Sequence, residues 1–147
     1  MPKSASQILV VEDDPVIADM LKELLVGAGY QVQWAPDVIA ALAALERRTT
    51  DLVTLDIELG TYSGHGLLAL LKTDPHTRNI PVIVISSSPV GPEVQHLADG
   101  VLSKPFNIAP LLQTIAASLE RKAVHLDPWQ ETVPDHRELE VAREVLD

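Results

Sequence analysis

The sequence predicts one α/β domain in which helices cover both faces of a parallel β-sheet. Short runs rich in β-branched residues alternate with longer segments of helical period, which is typical of βα units around a parallel sheet. Several of the short runs are almost wholly apolar, as expected for strands buried on both faces. The chain has 147 residues, of which 46% are hydrophobic, so it can bury a sizeable core.

Five segments have the composition of β-strands. They are residues 7–11, 31–35, 52–55, 82–85 and 101–103. The first, third and fourth are nearly continuous apolar runs, which predicts that they lie in the centre of the sheet.

Apolar residues at spacings of three and four predict helices between these strands. The first helix contains Ile17, Leu21 and Leu25 and ends at the glycine turn of residues 27–29; the others lie near residues 38–45, 67–71 and 108–119. Asp14 before Pro15 is a good N-cap for the first helix, and Asn107 is the expected N-cap of the last. Residues 89–99 leave room for only a short fourth helix.

The composition changes after Lys122. Residues 123–147 carry seven acidic and two basic side chains and two prolines. We therefore predict a main domain over residues 1–122 and an acidic C-terminal extension over residues 123–147. A short helix is expected from about Asp135, because apolar residues share one face there: Leu139, Ala142, Val145 and Leu146. Packing on its own domain, homodimer formation and docking on a partner all remain open for this helix.

Charge and composition exclude several classes of function. The net charge of −10 argues against direct binding of nucleic acid, which depends on clustered lysine and arginine. The absence of cysteine excludes disulfides and thiolate metal sites. No signal peptide or membrane-spanning run is recognisable, so we expect a cytoplasmic protein without a membrane partner. Neither GxGxxG nor a Walker loop is present, which disfavours nucleotide binding.

Polar residues follow four of the five predicted strands. They are Glu12, Asp13 and Asp14 after the first strand, Asp56 after the third, Ser86 after the fourth and Lys104 after the fifth. Ligands of open parallel sheets bind outside the carboxyl ends of the strands, so we expect these side chains to converge on one rim. Asp14 is the exception, because we interpret it as the N-cap.

This set of residue types suits phosphoryl transfer. Clustered carboxylates without nearby histidine or cysteine ligands favour a hard cation such as Mg²⁺, which neutralises their mutual repulsion. A neutralised Asp56 can then act as a carboxylate nucleophile and form an aspartyl-phosphate. The ammonium of Lys104 and the hydroxyl of Ser86 are suited to contact phosphoryl oxygens.

Four motifs together resemble the receiver domain of two-component response regulators, over roughly residues 6–122. The motifs are "ILVVEDDP", "LVTLDIELGTYSGHGLLALLK", "IPVIVISS" and "LSKPF". The resemblance implies a flavodoxin-like, doubly wound fold with strand order 2-1-3-4-5 and a Mg²⁺ cofactor. It also implies a sensor histidine kinase or phosphotransfer protein as phosphodonor, and a downstream target protein. Because no DNA-binding domain fits in the acidic extension, we expect a single-domain, chemotaxis-type regulator.

The resemblance assigns roles by motif position. Asp56 is the phosphoacceptor, Ser86 the switch hydroxyl and Lys104 the lysine before the proline, with which it could form a cis bond. The metal ligands are Glu12, Asp13, Asp56 and the backbone carbonyl of Glu58; the Glu58 side chain either faces solvent or influences loss of the phosphoryl group.

The chain also departs from the family pattern at three places. Val101 stands where an aromatic residue is common, Gly60 stands where a proline is frequent, and the interval between Ser86 and Lys104 is a few residues shorter than usual. These departures concern the surface that reports the phosphorylation state more than the phosphoryl chemistry.

Three functions remain open at this point. The first is a phosphorylation-dependent switch that catalyses only its own phosphorylation and dephosphorylation. The second is an aspartate-nucleophile phosphohydrolase of the haloacid-dehalogenase type, suggested by Asp56 and Gly60-Thr61, although that motif normally has a second aspartate in place of Glu58. The third is a non-switching interaction module, which Val101 and the short fourth helix favour.

Overall fold

A computed structural model describes residues 5–59 and 64–125, in which five strands and five helices alternate. The elements are β1 (Gln7–Val11), α1 (Pro15–Gly27), β2 (Gln31–Ala35), α2 (Val38–Arg47), β3 (Leu52–Asp56), α3 (Gly64–Thr73), β4 (Val82–Ser86), α4 (Pro92–Leu97), β5 (Gly100–Ser103) and α5 (Ile108–His125). The strands form one parallel sheet in the order β2-β1-β3-β4-β5, which confirms the predicted fold class and strand order.

The order of the sheet reverses at β1, since the chain passes from β1 to the edge strand β2 and then returns to β3. Val11 at the end of β1 pairs with Ala35 of β2 on one side and Leu55 of β3 on the other. The carboxyl ends of β1 and β3 therefore flank the crevice where sheets of this kind bind ligands. As predicted, β1, β3 and β4 are the buried central strands.

Alternate strand residues face two separate core layers, because successive side chains of a strand point to opposite faces. Leu9 and Val11 of β1 pack with α2, α3 and α4 on one face of the sheet. Ile8 and Val10 pack with α1 and α5 on the other face. The sheet is thus covered on both sides, and only its strand ends and edges are free to carry a site.

Three strands differ by one residue from the sequence prediction. β3 and β4 each extend one residue further, so Asp56 and Ser86 are the last residues of their strands rather than the first residues after them. The pairing continues because Asp56 pairs with Ile85, and Ser86 with Ser103. β5 begins one residue early, at Gly100. The extension places both polar side chains on backbone that the sheet holds rigidly.

Helix boundaries follow local capping rules. Asp14 is the N-cap of α1, as predicted, and its Oδ1 accepts hydrogen bonds from the backbone N–H groups of Val16 (2.9 Å) and Ile17 (3.4 Å). After α1, Gly29 has a φ of 101°, a left-handed conformation that favours glycine. α4 contains only six residues, which confirms the short fourth helix. Asn107 precedes the first residue of α5.

Some sequence predictions fall on residues that the structure does not describe. These are the roles of Gly60 and Thr61 and the helix expected from Asp135. α5 continues to His125, three residues beyond the predicted domain boundary at Lys122. No helix within the described residues is long and apolar enough to cross a membrane.

Candidate functional site

The end of β1 places two acidic side chains in different environments. The side chain of Glu12 is buried, whereas Asp13 is exposed. The backbone of Glu12 is held from β2, since its N–H donates to the Ala35 carbonyl (3.1 Å) and its carbonyl accepts from Nε1 of Trp34 (2.6 Å). The sequence pattern did not indicate this bond, because Trp34 lies 22 residues further along the chain.

Asp56 ends β3 with its side chain only 4% exposed. Its Oδ1 accepts a hydrogen bond from the backbone N–H of Glu58 (2.9 Å), and its Oδ2 lies 3.3 Å from Nζ of Lys104. One carboxylate oxygen is therefore fixed by the following loop, while the other faces the cation at the rim.

Lys104 joins the ends of three strands. Its Nζ lies 3.2 Å from Oε1 of Glu12 and 3.3 Å from Oδ2 of Asp56, and its backbone N–H donates to the Ser86 carbonyl (2.7 Å). Burial alone would lower the pKa of the ammonium, but attraction by Glu12 and Asp56 outweighs it and the pKa is raised. The Lys104–Pro105 bond is cis, as the sequence suggested.

Three carboxylates at this rim can hold one cation together. Oxygens of Glu12, Asp13 and Asp56 lie within 4.8 Å of one another. Oε1 of Glu12 is buried and accepts no hydrogen bond, and its contact with Lys104 has the distance of an ion pair without hydrogen-bond geometry. Burial and the neighbouring Asp56 raise the pKa of Glu12 to about 7. An all-oxygen donor set with one unsatisfied buried oxygen fits a hard divalent cation.

Ser86 stands next to this cluster but is engaged elsewhere. Its Oγ donates to the Ser88 carbonyl (2.6 Å) and accepts from the Ser88 N–H (3.1 Å). These are the bonds of a serine that satisfies the backbone of a tight turn. The structure thus brings together Glu12, Asp13, Asp56 and Lys104, and it leaves the Ser86 hydroxyl bound to its own loop.

The Glu58 side chain is exposed but has specific partners. Its Oε1 accepts hydrogen bonds from the backbone N–H (2.9 Å) and the Oγ (2.6 Å) of Ser87. These two bonds, first that from the hydroxyl and then that from the N–H, lower the pKa of Glu58. The contact links the loop after β3 to the loop after β4. Sequence analysis did not identify Ser87, because only the fold brings residues 58 and 87 together.

Two further residues complete the surroundings of the site. A Cβ at Gly64 would lie 2.6 Å from the carbonyl oxygen of Ile57, so the start of α3 packs directly on the backbone that follows Asp56. Val101, at the position where receivers often carry an aromatic residue, is partly buried and packs against the core layer that contains α2, α3 and α4.

Comparison with known sequences identifies the family. The profile of the response regulator receiver domain matches residues 8–116, and the chain therefore belongs to this family. Receiver domains accept phosphoryl groups, bind Mg²⁺ in an acidic pocket, and interact with histidine kinases and downstream effectors. The family thus accounts for acidic side chains gathered at one rim of a parallel sheet.

Two curated relatives differ in how much of their length this chain matches. The DNA-binding dual master transcriptional regulator RpaA of Synechocystis sp. is 34% identical over 78% of this chain, but the match covers only 49% of RpaA. The polar-differentiation response regulator DivK of Brucella anthropi is 28% identical over 81% of this chain and is covered over 98% of its length. The chain therefore spans about half of the first relative and nearly all of the second.

A solved structure supplies a comparison for the acidic rim. The receiver domain of sensor histidine kinase PA1611 from Pseudomonas aeruginosa PAO1 superposes with a TM-score of 0.72 at 25% identity. The match covers 80% of this chain and 99% of that domain. That crystal structure has a magnesium ion coordinated in the active site cleft.

Proposed function

We propose that this receiver domain is a phosphorylation-dependent switch in which Asp56 accepts the phosphoryl group. The observation that carries the proposal is the position of Lys104 Nζ between the buried carboxylates of Glu12 and Asp56. A lysine there can stay beside Asp56 while the carboxylate gains a doubly charged group. An ordinary structural ion pair would not require a second and a third carboxylate at the same point.

Glu12, Asp13 and Asp56 would hold a Mg²⁺ ion, together with the backbone carbonyl of Glu58 as the family motif implies. When bound, the ion would neutralise the carboxylates and the oxygens of the incoming phosphoryl group. Support comes from the unsatisfied Oε1 of Glu12 and from the magnesium ion in the related PA1611 receiver structure.

In the transfer, a carboxylate oxygen of Asp56 attacks phosphorus in line with the phosphohistidine bond of a kinase or phosphotransfer protein. The phosphorus–nitrogen bond breaks, its electron pair stays with the imidazole, and the phosphoryl group becomes an acyl phosphate on Asp56. Lys104 then contacts a phosphoryl oxygen, while the hydrogen bond from Glu58 N–H keeps the other carboxylate oxygen in place.

The switch itself is the loop of residues 86–88. For the Ser86 hydroxyl to reach a phosphoryl oxygen, it must leave its two hydrogen bonds to Ser88. The added charge of about −1.5 to −2 provides the attraction for this exchange of partners. Because Ser87 is bound to Glu58, the same movement disturbs the link between the two loops.

We further propose that the output is contact with a downstream protein in the cytoplasm, without turnover of an external substrate. The net charge of −10 makes direct contact with nucleic acid unfavourable. RpaA is DNA-binding by name, but this chain matches only half of it.

The direct test is incubation with Mg²⁺ and a small phosphodonor such as acetyl phosphate, followed by intact mass and peptide mapping. We expect one acid-stable, base-labile adduct, located on Asp56 and absent from Asp56→Asn. Asp51→Asn is a matched control, since Asp51 precedes the same strand at its opposite end. Equal labelling of wild type and Asp56→Asn would remove Asp56 from the mechanism.

A second candidate, a constitutive interaction module, is favoured by two specific observations. Ser86 is fully engaged by its own turn and Val101 replaces the aromatic residue that often moves with the switch hydroxyl. Backbone NMR shifts with and without beryllofluoride, a phosphoryl mimic, distinguish the two. Shifts across residues 86–104 support the switch, whereas unchanged shifts in a protein that binds the mimic support the module.

A further inference from the structure

An apolar groove lies between α2 and α3 at the amino end of the sheet. It has a volume of about 770 Å³, within the range in which proteins bury organic groups. Leu42 of α2 and Leu70 of α3 line it while 36% and 43% exposed, and Leu45 and Ile80 lie deeper. The two leucines on facing helices thus form an exposed apolar strip along the groove.

A smaller cavity of about 260 Å³ adjoins this groove. Two of its cations are paired, Lys72 with Asp99 (2.8 Å) and Lys122 with Asp51 (3.5 Å), so its excess positive charge comes from two arginines. Its charged lining comprises Lys72, Arg78, Arg121, Lys122 and Asp99. Lys122 lines both spaces, and Arg48 adds a further cation to the groove, whose acidic lining residues are Glu46 and Asp74. Five of the eight lysines and arginines between residues 5 and 125 thus gather at this end of a chain whose net charge is −10.

The acidic extension starts at this basic end. α5 ends at His125, one helical turn after Lys122. Residues 126–147 contain seven acidic and two basic side chains, and their sequence pattern puts Leu139, Ala142, Val145 and Leu146 on one helical face. The chain therefore carries an amphipathic, acidic segment tethered beside an apolar groove.

We propose that residues 135–147 dock in the groove between α2 and α3 of their own domain. The apolar face covers Leu42, Leu70 and Ile80, and the acidic side chains lie toward Arg48 and the two arginines of the adjoining cavity. This is the helix-in-groove mode of peptide recognition, with charge complementarity setting its orientation.

The short connection to α5 favours residues 135–147 as the segment that occupies the groove. Thirteen residues lie between His125 and Leu139, and such a segment can reach as far as about 45 Å, more than the diameter of a domain of this size. A short tether gives an effective concentration of about millimolar, so a weak contact is enough to keep the groove covered. A free partner of equal affinity would have to exceed this concentration to compete.

The proposal does not depend on phosphorylation of Asp56. Thr50 and Ile80, which line the groove, come before β3 and β4, whereas Asp56 and Ser86 end those strands. The two sites are therefore at opposite ends of the sheet, and either proposal can fail while the other stands.

The test uses paramagnetic relaxation in the full chain. The protein has no cysteine, so Arg137→Cys gives one attachment point for a nitroxide, on the face opposite the apolar one. We expect loss of the amide signals of Leu42, Leu70 and Ile80 in the isotope-labelled chain, with the signals near Asp56 retained. The double change Leu139→Asp and Leu146→Asp should restore them.

A matched pair of domain variants tests the groove itself. Leu70→Asp, at a half-exposed groove position, should also restore the signals of Leu42 and Ile80. Ile39→Asp, on the same helix as Leu42 but outside the groove and 65% exposed, should leave the signal loss unchanged. Dispersed amide spectra confirm that each variant is folded.

Two outcomes would overturn the proposal. One is retention of the groove signals in the singly spin-labelled chain. The other is signal loss that persists when spin-labelled chains without isotope are mixed with isotope-labelled chains without the nitroxide, because the segment would then occupy the groove of a second copy.

Discussion

The two ends of the sheet each hold a mostly buried lysine, and the two lysines are satisfied very differently. At the amino end, Nζ of Lys72 donates to the carbonyls of Arg78 (3.1 Å) and Ile80 (2.9 Å) and to Oδ2 of Asp99 (2.8 Å). At the carboxyl end, Nζ of Lys104 lies 3.2 and 3.3 Å from the carboxylates of Glu12 and Asp56.

The comparison distinguishes the Lys72 ion pair, which stabilises the fold, from the Lys104 cluster, which can still bind a ligand. Lys72 has one carboxylate and two carbonyls, all at short distance, so its three donors are used. Lys104 pairs with two of three clustered carboxylates, and Oε1 of Glu12 remains without a hydrogen bond. Surplus negative charge in a buried site costs folding energy and is retained where a cation or a reaction requires it.

The largest expected effect comes from removing the satisfied lysine. Lys72→Met leaves Asp99 and two backbone carbonyls without their donor, and we expect a loss of about 2–3 kcal/mol in the free energy of unfolding. Urea denaturation measures this. Lys22→Met, on the exposed surface of α1, is the control and should change stability by less than about 0.5 kcal/mol. A loss no larger than the control would show that Lys72 is not the structural partner described.

Neutralising one carboxylate at each end of the sheet, Asp99 or Asp56, should change the free energy of unfolding in opposite directions. Asp99→Asn weakens bonds to Lys72 and to the Val82 N–H (2.8 Å), and we expect it to lower the free energy of unfolding by about 1–2 kcal/mol. Asp56→Asn removes repulsion of Glu12 and should raise the stability of the metal-free protein by about 1 kcal/mol at neutral pH. Effects of the same sign in denaturation without Mg²⁺ would contradict the comparison.

The pH dependence of the metal-free protein should report Glu12. Its pKa is raised from 4.5 to about 7 in the folded chain. Protonated Glu12 therefore contributes stability that is complete below pH 4.5 and is lost as the pH rises to about 7. Between these values the unfolded chain has already released the proton that the folded chain still holds. We expect a decrease on the order of 1–3 kcal/mol across this interval.

Glu12→Gln is the matched variant for this titration, since it keeps the side-chain volume and removes the ionisable group. Its free energy of unfolding should vary less with pH than that of the wild type over the same interval. Parallel curves for the two proteins would show that Glu12 does not carry the effect.

The smallest expected effect concerns the support of the acidic loop from β2. Trp34→Phe removes the hydrogen bond to the Glu12 carbonyl while retaining an aromatic ring. Because Trp34 is 43% exposed, water can replace the donor, and we expect a loss of only about 0.5–1 kcal/mol by circular dichroism. A loss above about 2 kcal/mol would indicate that Trp34 supports the core rather than this one carbonyl.

The fold and the converging side chains were predictable because both depend on local patterns. Apolar strands alternating with amphipathic helices defined a parallel sheet, and parallel strands necessarily bring Asp56 and Lys104 to the same edge. The one-residue extensions of β3 and β4 were not predictable, since ladder pairing continues onto polar residues. The sequence also did not indicate that Trp34 bonds to Glu12 or that Ser87 bonds to Glu58. Such contacts depend on loop geometry between distant segments.

The most direct test of the acidic rim is chemical denaturation at slightly alkaline pH with and without millimolar Mg²⁺, compared between wild type and Asp56→Asn. Ligand binding to the folded state alone raises its stability with ligand concentration. We predict that Mg²⁺ increases the free energy of unfolding of the wild type and that the increase is much smaller in Asp56→Asn. No increase in the wild type, or an equal increase in both proteins, would contradict a magnesium site formed by Glu12, Asp13 and Asp56.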